Sequence, residues 1–347
     1  MTAPMRVSAR PVAGGKLTEE AVHEWQNQGM TLASGLLPAH RIESLVETAK
    51  FLFPEAGSEA ARSVRDFGSG GRFVFPSADA AFNALTLDPG LVGAVAQLLN
   101  VSPSALRLTQ SDLWPKYGHA SRHRQDNQDQ RIHMDYPNHM LVHPPPWATP
   151  AAVEIIIYYS DARECAGETG FVPRTSASDP AYQYPYTQSP GMSHHPFLND
   201  RSSAEEYFEQ EAPEIAAFRA ALYEREQVAD FRVGDVLFYR HDVWHRGRPL
   251  VEGTMRLAQN LTFRCDDADW VSQLHPGWPW AMYREGQPFE RWVANASVFE
   301  RTLLGFPPPG HAFWTPETLA GVIARYGPFG FDASPYKDVN SIQLGVS

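Results

Sequence analysis

The chain has 347 residues, of which 43% are hydrophobic and 12% aromatic, enough for a large core in one elaborated domain or two small ones. It carries 29 Lys and Arg residues against 40 Asp and Glu residues, a net charge of −11, which argues against binding a nucleic acid or an anionic membrane by general electrostatics. Its two cysteines, Cys165 and Cys265, form no C-x-x-C pattern, which disfavours a disulfide scaffold or a thiolate zinc site and fits a reducing compartment.

The N-terminal region is predicted to be helical. Residues 1–20 contain no apolar core of signal-peptide length and no later run looks long enough to span a bilayer, so we expect a soluble, cytoplasmic protein. The first helix is indicated by the spacing of Leu17, Val22 and Trp25, and Gly29 is a plausible stop.

A strand and two more helices are predicted next. Residues 30–37 (MTLASGLL) read as a strand, and the helix after this strand has Pro38 near its start. A further helix is expected over 89–100 (PGLVGAVAQLLN). One face of the helix after Pro38 is apolar: Ile42, Leu45, Val46 and Ala49.

From about Ala105 the pattern changes to short strands separated by turns. Helices followed by many short strands predict a β-barrel or a double-sheet jelly roll with flanking helices. The predicted strands are LRLTQSDLW (106–114), AVEIIIYYS (152–160), FRVGDVLFY (231–239) and MRLAQNLTFR (255–264).

We expect one domain over 1–347, mainly β with flanking helices. Its parts are a helical lead (17–104), a jelly-roll core (105–265) with a helical insert (174–228), and an aromatic extension (266–347). We expect the extension to cap the mouth of the barrel, with coverage of an outer face as the alternative. Five of the nine tryptophans fall there: Trp270, Trp278, Trp280, Trp292 and Trp314.

The segment RIHMDYPNH (131–139) is a candidate metal site. His133 and Asp135 place an imidazole and a carboxylate two positions apart. The H-x-D pattern also occurs by chance, so it needs a third ligand. Two histidines and one carboxylate on one face are typical of non-haem Fe(II) oxygenases.

Two histidines downstream could supply that ligand. His241 and His245 have the i, i+4 spacing of a zinc-binding helix, but VLFY before them reads as strand, and Gly247 and Pro249 interrupt the residues after them. We therefore expect only one of the two to face a metal, and we assign His241 to a supporting or surface position.

The next strand favours an acidic ligand near this site. By alternation, Arg256 and the polar side chains of this strand share one face and its leucines the other. A guanidinium can bind a carboxylate with two hydrogen bonds. Arg256 lies eleven residues after His245.

This arrangement of H-x-D, distal histidine and arginine resembles the phytanoyl-CoA dioxygenase (PhyH-like) family of Fe(II)/2-oxoglutarate oxygenases. The opening (17–45) resembles the family's helix–strand–helix lead, and LWPKYG (113–118) its strand with a Lys-Pro segment. Residues 154–176 resemble its strand, loop and N-G-x-L-x-V-x-P-G-S-H segment. There Gly167 and Pro173 match, but Ala166 replaces the Asn and Arg174-Thr175-Ser176 replace G-S-H.

The resemblance implies a double-stranded β-helix (jelly-roll, cupin-like) core and an enzyme that uses Fe(II), 2-oxoglutarate and O2. The implied iron ligands, which are also the catalytic residues, are His133, Asp135 and His245. Related halogenases carry Gly or Ala at the carboxylate position, so Asp135 argues for hydroxylation, desaturation or another oxidation.

For the co-substrate, the resemblance implies that Arg256 binds the distal carboxylate of 2-oxoglutarate, with help from Lys116, or from Gln110 and Thr109. The family's small polar residue two positions after the distal histidine is Gly247 here, so one co-substrate contact must differ.

Two other functions stay open: a cupin-like metal dioxygenase that needs no 2-oxoglutarate, and a non-catalytic jelly-roll binding protein. The partner expected is a small molecule, hydrophobic or ring-bearing. We expect Trp244 to point into the core, and His139 or Tyr136 to line the pocket. We expect most of the remaining histidines to be solvated, among them His119, His123, His143, His194 and His195.

Overall fold

The structure is a computed structural model that describes residues 4–64, 69–120, 128–271 and 287–337. Two β-sheets pack against each other through a shared hydrophobic cluster, and the N-terminal helices cover the larger sheet.

The described residues contain ten strands and twelve α-helices. The strands are β1 (Met5–Ser8), β2 (Arg10–Pro11), β3 (Met30–Ser34), β4 (Leu106–Tyr117), β5 (Ala152–Tyr158), β6 (Thr169–Phe171), β7 (Gln227–Asp230), β8 (Val236–Tyr239), β9 (His245–Gly247) and β10 (Met255–Cys265). The helices are α1 (Glu19–Gln28), α2 (Ala39–Phe51), α3 (Glu59–Arg62), α4 (Ala80–Thr86), α5 (Pro89–Leu99), α6 (Tyr136–His139), α7 (Ala162–Cys165), α8 (Arg201–Glu211), α9 (Pro213–Glu224), α10 (Pro288–Asn295), α11 (Val298–Leu303) and α12 (Pro316–Tyr326).

The strand order defines a jelly roll. The large sheet has the order β2-β3-β8-β5-β10-β4, and the small sheet β1-β7-β6-β9. The segment 130–133 pairs with the free side of β9 through an antiparallel bridge between His133 and His245. From β4 to β10 the chain therefore passes between the sheets as large, small, large, small, small, large, small, large. This double-stranded β-helix, mainly β with flanking helices, confirms the predicted fold class.

The N-terminal helices pack their apolar faces against the large sheet. Helix α1 begins after Thr18, whose hydroxyl accepts from the Ala21 amide, and ends at Gly29, whose φ of 98° suits a residue without a Cβ. The buried residues of α2 are the four predicted: Ile42, Leu45, Val46 and Ala49. These helices share a hydrophobic cluster with the leucines of β10, so they cover the outer face of the large sheet.

By length and composition alone, the stretch Ala80–Leu99 could cross a membrane, contrary to the expectation that no run is long enough. It comprises α4 and α5, and 56% of its most apolar 18-residue window is buried inside the protein. Helix α5 contributes Leu91 and Val95 to the same cluster as the large sheet, which is how a core helix packs.

The C-terminal extension packs against the segment after Asp135. Arg325 of α12 donates to the carbonyl oxygens of Met140 (2.6 Å) and Pro137 (2.9 Å), and the Tyr326 hydroxyl donates to that of Leu141 (2.7 Å). Aromatic side chains including Trp314 join the inner hydrophobic cluster. Trp278 and Trp280, which were predicted to take part, lie outside the described residues.

The insert forms two helices, α8 and α9, that brace the segment carrying His133. Arg219 of α9 is fully buried, pairs with Glu205 of α8 (2.6 Å) and donates to the Ile132 carbonyl (3.0 Å). The Tyr223 hydroxyl accepts from the Ile132 amide at 3.0 Å. The predicted helical run is therefore two helices, because Pro213 begins the second.

Candidate metal centre

The backbone brings two histidines face to face. The His133 amide donates to the His245 carbonyl (2.9 Å) and the His245 amide donates to the His133 carbonyl (2.8 Å). Residues opposed in this way point their side chains to the same side of a sheet. The two imidazole rings lie 4.5 Å apart between centroids.

Asp135 completes a group of three, which we call the first triad: His133, Asp135 and His245. The carboxylate approaches Nε2 of His133 at 3.5 Å and Nε2 of His245 at 3.2 Å. One potential ligand atom from each residue lies within 4.8 Å of the others. The structure thus brings together the three residues that the sequence singled out, and all three are largely buried.

Backbone carbonyls orient both histidine rings of the first triad through Nδ1. Nδ1 of His133 lies 3.1 Å from the Arg131 carbonyl, and Nδ1 of His245 lies 3.1 Å from the Val243 carbonyl. A carbonyl can only accept, so each Nδ1 carries a proton and each Nε2 is the atom left to bind a cation. Metal-ligating histidines are usually held in this way.

The electrostatics of the first triad are those of an anionic ligand beside two imidazoles. Burial, with Arg131 and His245 nearby, lowers the pKa of His133 to about 3, so this ring is neutral. Burial alone would raise the pKa of Asp135, but His245 and hydrogen bonds from both rings hold that pKa well below its usual range. Burial likewise opposes charge on His245, yet Asp135 outweighs it and raises the pKa of that ring.

The loop that carries Asp135 is fixed by its neighbours. The amides of Asp135 and Tyr136 both donate to the His241 carbonyl, at 3.0 Å and 3.1 Å. The Tyr239 hydroxyl donates to Oδ2 of Asp135 at 2.9 Å. Burial, followed by the charge of Asp135, raises the pKa of Tyr239 well above its usual value, so the hydroxyl keeps its proton.

Arg256 points into the same cavity as the first triad. Its Nη1 donates to the Gly167 carbonyl at 2.7 Å, while its buried Nε makes no hydrogen bond to any described residue. Within the described ranges no carboxylate forms an ion pair with Arg256.

The three other predicted co-substrate residues lie on β4: Lys116, Gln110 and Thr109, whose hydroxyl donates to the Thr262 carbonyl at 3.4 Å. Gln110 lines the cavity, and its side-chain oxygen is 3.0 Å from the Thr262 hydroxyl. Lys116 is opposite Arg256 in the strand register, and its Nζ donates to the Arg248 carbonyl at 2.7 Å. Lys116 is therefore close to the cavity wall behind Gly247.

Gly247 leaves space that a neighbour fills. A Cβ at this position would lie 2.5 Å from Oε1 of Gln130 and 3.0 Å from Nζ of Lys116. The Gln130 oxygen accepts from the Gly247 amide at 2.8 Å, and Gln130 lines the cavity. An amide from a neighbouring segment thus lies where the resembled family has its own small polar side chain.

The enclosed part of the cavity is small, about 70 Å³, and it opens to solvent. Trp114 and Ile156 add apolar surface to its polar lining. Its lining therefore offers a small molecule both charged and apolar contacts.

A second group of the same chemical kind lies beside the first and was not predicted. We call it the second triad: His139, Glu154 and His241, whose potential ligand atoms also lie within 4.8 Å of one another. Glu154 was missed because it was read only as part of a buried strand. The signal was available, since a lone Glu inside AVEIIIYYS is costly to bury without a partner.

Two expectations about histidines were wrong, because His143 and His195 are buried rather than solvated. His139 lines the cavity, as predicted. His241, assigned to a supporting or surface position, is 2% exposed, which leaves the supporting position. His194 is exposed and His119 is half-buried, and His123 lies outside the described residues.

Trp244 points into the core, as predicted. Its side chain is fully buried and Nε1 donates to the Ala181 carbonyl at 2.7 Å. It therefore lies on the opposite face of the chain from its neighbour His245.

No protein-family model matches this chain, and no curated protein sequence aligns with it significantly. Solved structures of similar fold do exist. One is the non-haem alpha-ketoglutarate-dependent carbocyclase SnoK from nogalamycin biosynthesis, 14% identical over 78% of this chain and 92% of SnoK, with a TM-score of 0.49.

Two further matches were determined with bound groups. The epimerase SnoN in complex with Fe3+, alpha-ketoglutarate and nogalamycin RO is 16% identical over 71% of this chain and 83% of SnoN (TM-score 0.46). HygX from Streptomyces hygroscopicus with nickel and 2-oxoglutarate is 16% identical over 72% of this chain and 87% of HygX (TM-score 0.43). The likeness is one of fold. The narrower resemblance to the PhyH-like family stays a prediction, since none of these matches names it.

Proposed function

We propose that the protein is an Fe(II)- and 2-oxoglutarate-dependent oxygenase that oxidises a small organic molecule. The observation that carries this proposal is the first triad. Two imidazoles present Nε2 beside one carboxylate, and each Nδ1 is hydrogen-bonded to a backbone carbonyl. Two histidines and one carboxylate with open positions are the donor set of non-haem Fe(II) oxygenases.

The residues present fit that metal. His133, Asp135 and His245 would hold the iron, and the Tyr239 hydroxyl would orient the carboxylate. When bound, iron with 2-oxoglutarate and O2 supplies oxidising power for a C–H bond, with succinate and CO2 as co-products. The protein's part is to position the ligands and the substrate and to exclude water.

Arg256 would bind the distal carboxylate of 2-oxoglutarate. Its guanidinium lines the cavity, the Gly167 carbonyl fixes one nitrogen, and its Nε is still free to donate within the described structure. Gln110 lies on the same wall, and Lys116 adds positive charge close behind it. Iron with alpha-ketoglutarate is named for SnoN, and nickel with 2-oxoglutarate for HygX, but the residues of this chain are what suggest iron and 2-oxoglutarate here.

Within this class we propose hydroxylation as the outcome. Asp135 occupies the position where related halogenases have Gly or Ala, so a carboxylate rather than a halide would complete the metal site. The mixed lining of the cavity, with Trp114 and Ile156 beside charged groups, suits a small molecule with an apolar or ring-bearing part. We further propose a cytoplasmic protein that binds neither nucleic acid nor membrane, in keeping with its net charge of −11.

Co-product formation tests this function without knowledge of the substrate. Protein loaded with Fe(II) in air should convert 2-oxoglutarate slowly to succinate, and Asp135→Ala should reduce the rate to background. Asp88→Ala, which removes a buried carboxylate from the start of α5 far from the cavity, should keep the wild-type rate if it folds. Iron binding with no succinate formation would favour a metal dioxygenase that needs no 2-oxoglutarate. Absence of both would favour a binding protein.

A further inference from the structure

The second triad joins three separate elements deep in the protein. His139 ends α6, Glu154 lies in the middle of β5, and His241 follows β8. Their exposed fractions are 5%, 2% and 2%. His139 and Glu154 face the cavity that the first triad also lines.

Three polar atoms of this group, one from each residue, converge on one point. Oε1 of Glu154 lies 3.4 Å from Nδ1 of His139 and closer still to Nε2 of His241. Nδ1 of His139 has no hydrogen-bonding partner among the described residues. The other carboxylate oxygen, Oε2, accepts from the Thr262 hydroxyl at 2.7 Å, which fixes the carboxylate and leaves Oε1 aimed between the two rings.

Such an arrangement of two imidazoles around one carboxylate oxygen suits a bound cation. A buried polar atom without a partner is costly. A metal ion among the three atoms would bind Oε1 and one nitrogen of each ring together. Two imidazoles and a carboxylate suit Zn²⁺, Fe²⁺, Co²⁺ or Ni²⁺ better than Ca²⁺ or Mg²⁺, which prefer oxygen ligands.

We propose that His139, Glu154 and His241 form a second transition-metal site, distinct from the first triad. The two sites share a wall. Tyr239 is opposite Glu154 in the β5–β8 register and donates to Asp135. The His241 carbonyl accepts from the amides that carry Asp135. An ion in the second site therefore adds positive charge to the cavity and fixes the loop of the first site.

Metal stoichiometry tests the proposal independently of activity. The full-length protein is stripped with a chelator, reloaded anaerobically with Co²⁺, freed of excess ion, and analysed by elemental analysis and visible spectroscopy. We expect two ions per wild-type chain, one in Asp135→Ala, one in Glu154→Gln and none in the double variant. Glu290→Gln, at a buried carboxylate outside both triads, should keep two.

Glu154→Gln nearly preserves shape and still offers an oxygen to Thr262. Circular dichroism checks that each variant is folded, and His241→Asn replaces Glu154→Gln if the latter unfolds. A folded second-triad variant that binds as many ions as wild type overturns the proposal. Wild type could instead bind one ion that is lost in Glu154→Gln and kept in Asp135→Ala. That result would support the second site and refute the proposed function.

Discussion

Tyr239→Phe removes one hydroxyl and tests whether Asp135 is an oriented metal ligand. That hydroxyl donates to Oδ2 of Asp135 at 2.9 Å, and the ring is buried. A hydrogen bond to a charged group contributes about 1.5–3 kcal/mol, which corresponds to roughly a 10- to 100-fold weaker Kd for the ion, the usual cost of losing such a supporting contact. The measurement is the Kd for Co²⁺ at the first triad, by anaerobic competition with a chelator in the Glu154→Gln background.

The matched control is Tyr117→Phe. Its hydroxyl donates to the Pro54 carbonyl at 2.6 Å, so the same atom is lost at a place where neither triad is involved. Both variants should be folded, and only Tyr239→Phe should bind the ion more weakly. Equal Kd values for wild type, Tyr239→Phe and the control would refute the view that Tyr239 orients a ligand.

Three further predictions concern the co-substrate, protons and packing. Arg256→Ala should weaken 2-oxoglutarate binding by about 2–5 kcal/mol, at least about 30-fold in Kd, as measured by anaerobic calorimetry. Arg107→Ala, on the exposed edge strand β4, should leave the Kd unchanged. Equal effects of the two substitutions would contradict the co-substrate role of Arg256. The pKa of His245 is raised above 6.5, while the other first-triad ligands are already deprotonated. Metal binding near pH 6.5 should therefore release between half and one proton from His245. The affinity for the metal ion should rise with pH until the pKa of His245 is passed. Calorimetry in two buffers, on a variant without the second triad, would contradict this if no proton were released. In Gly321→Ala the added Cβ would meet His143 at 2.6 Å, so the free energy of unfolding in urea should fall by about 1–3 kcal/mol, whereas Gly93→Ala, with nothing within 4 Å, should not lower it.

Elements with a strong local pattern could be predicted from the sequence. The apolar face of α2 is buried as its spacing indicates. In β10 the alternation from Arg256 to Thr262 separates cavity from core, although a register shift comes after Thr262. These assignments succeed because one periodicity decides which side chains are buried.

Features that depend on distant pairing could not be read locally. β9 has three residues, and β1 joins the small sheet by pairing with β7, more than two hundred residues away. The burial of His143 arises because α12 packs on it. The second triad unites residues from three elements whose separate contexts, a turn, a strand and a short helix, give no spacing pattern.

The most direct test of the proposed function is an anaerobic titration of the apoprotein with Fe(II) and then 2-oxoglutarate, followed by visible absorption. A bound keto acid chelating iron gives a weak charge-transfer band. The first triad predicts this band in wild type and its absence in Asp135→Ala. Iron binding with no band in wild type would contradict the co-substrate assignment, and failure to bind iron would contradict the metal site itself.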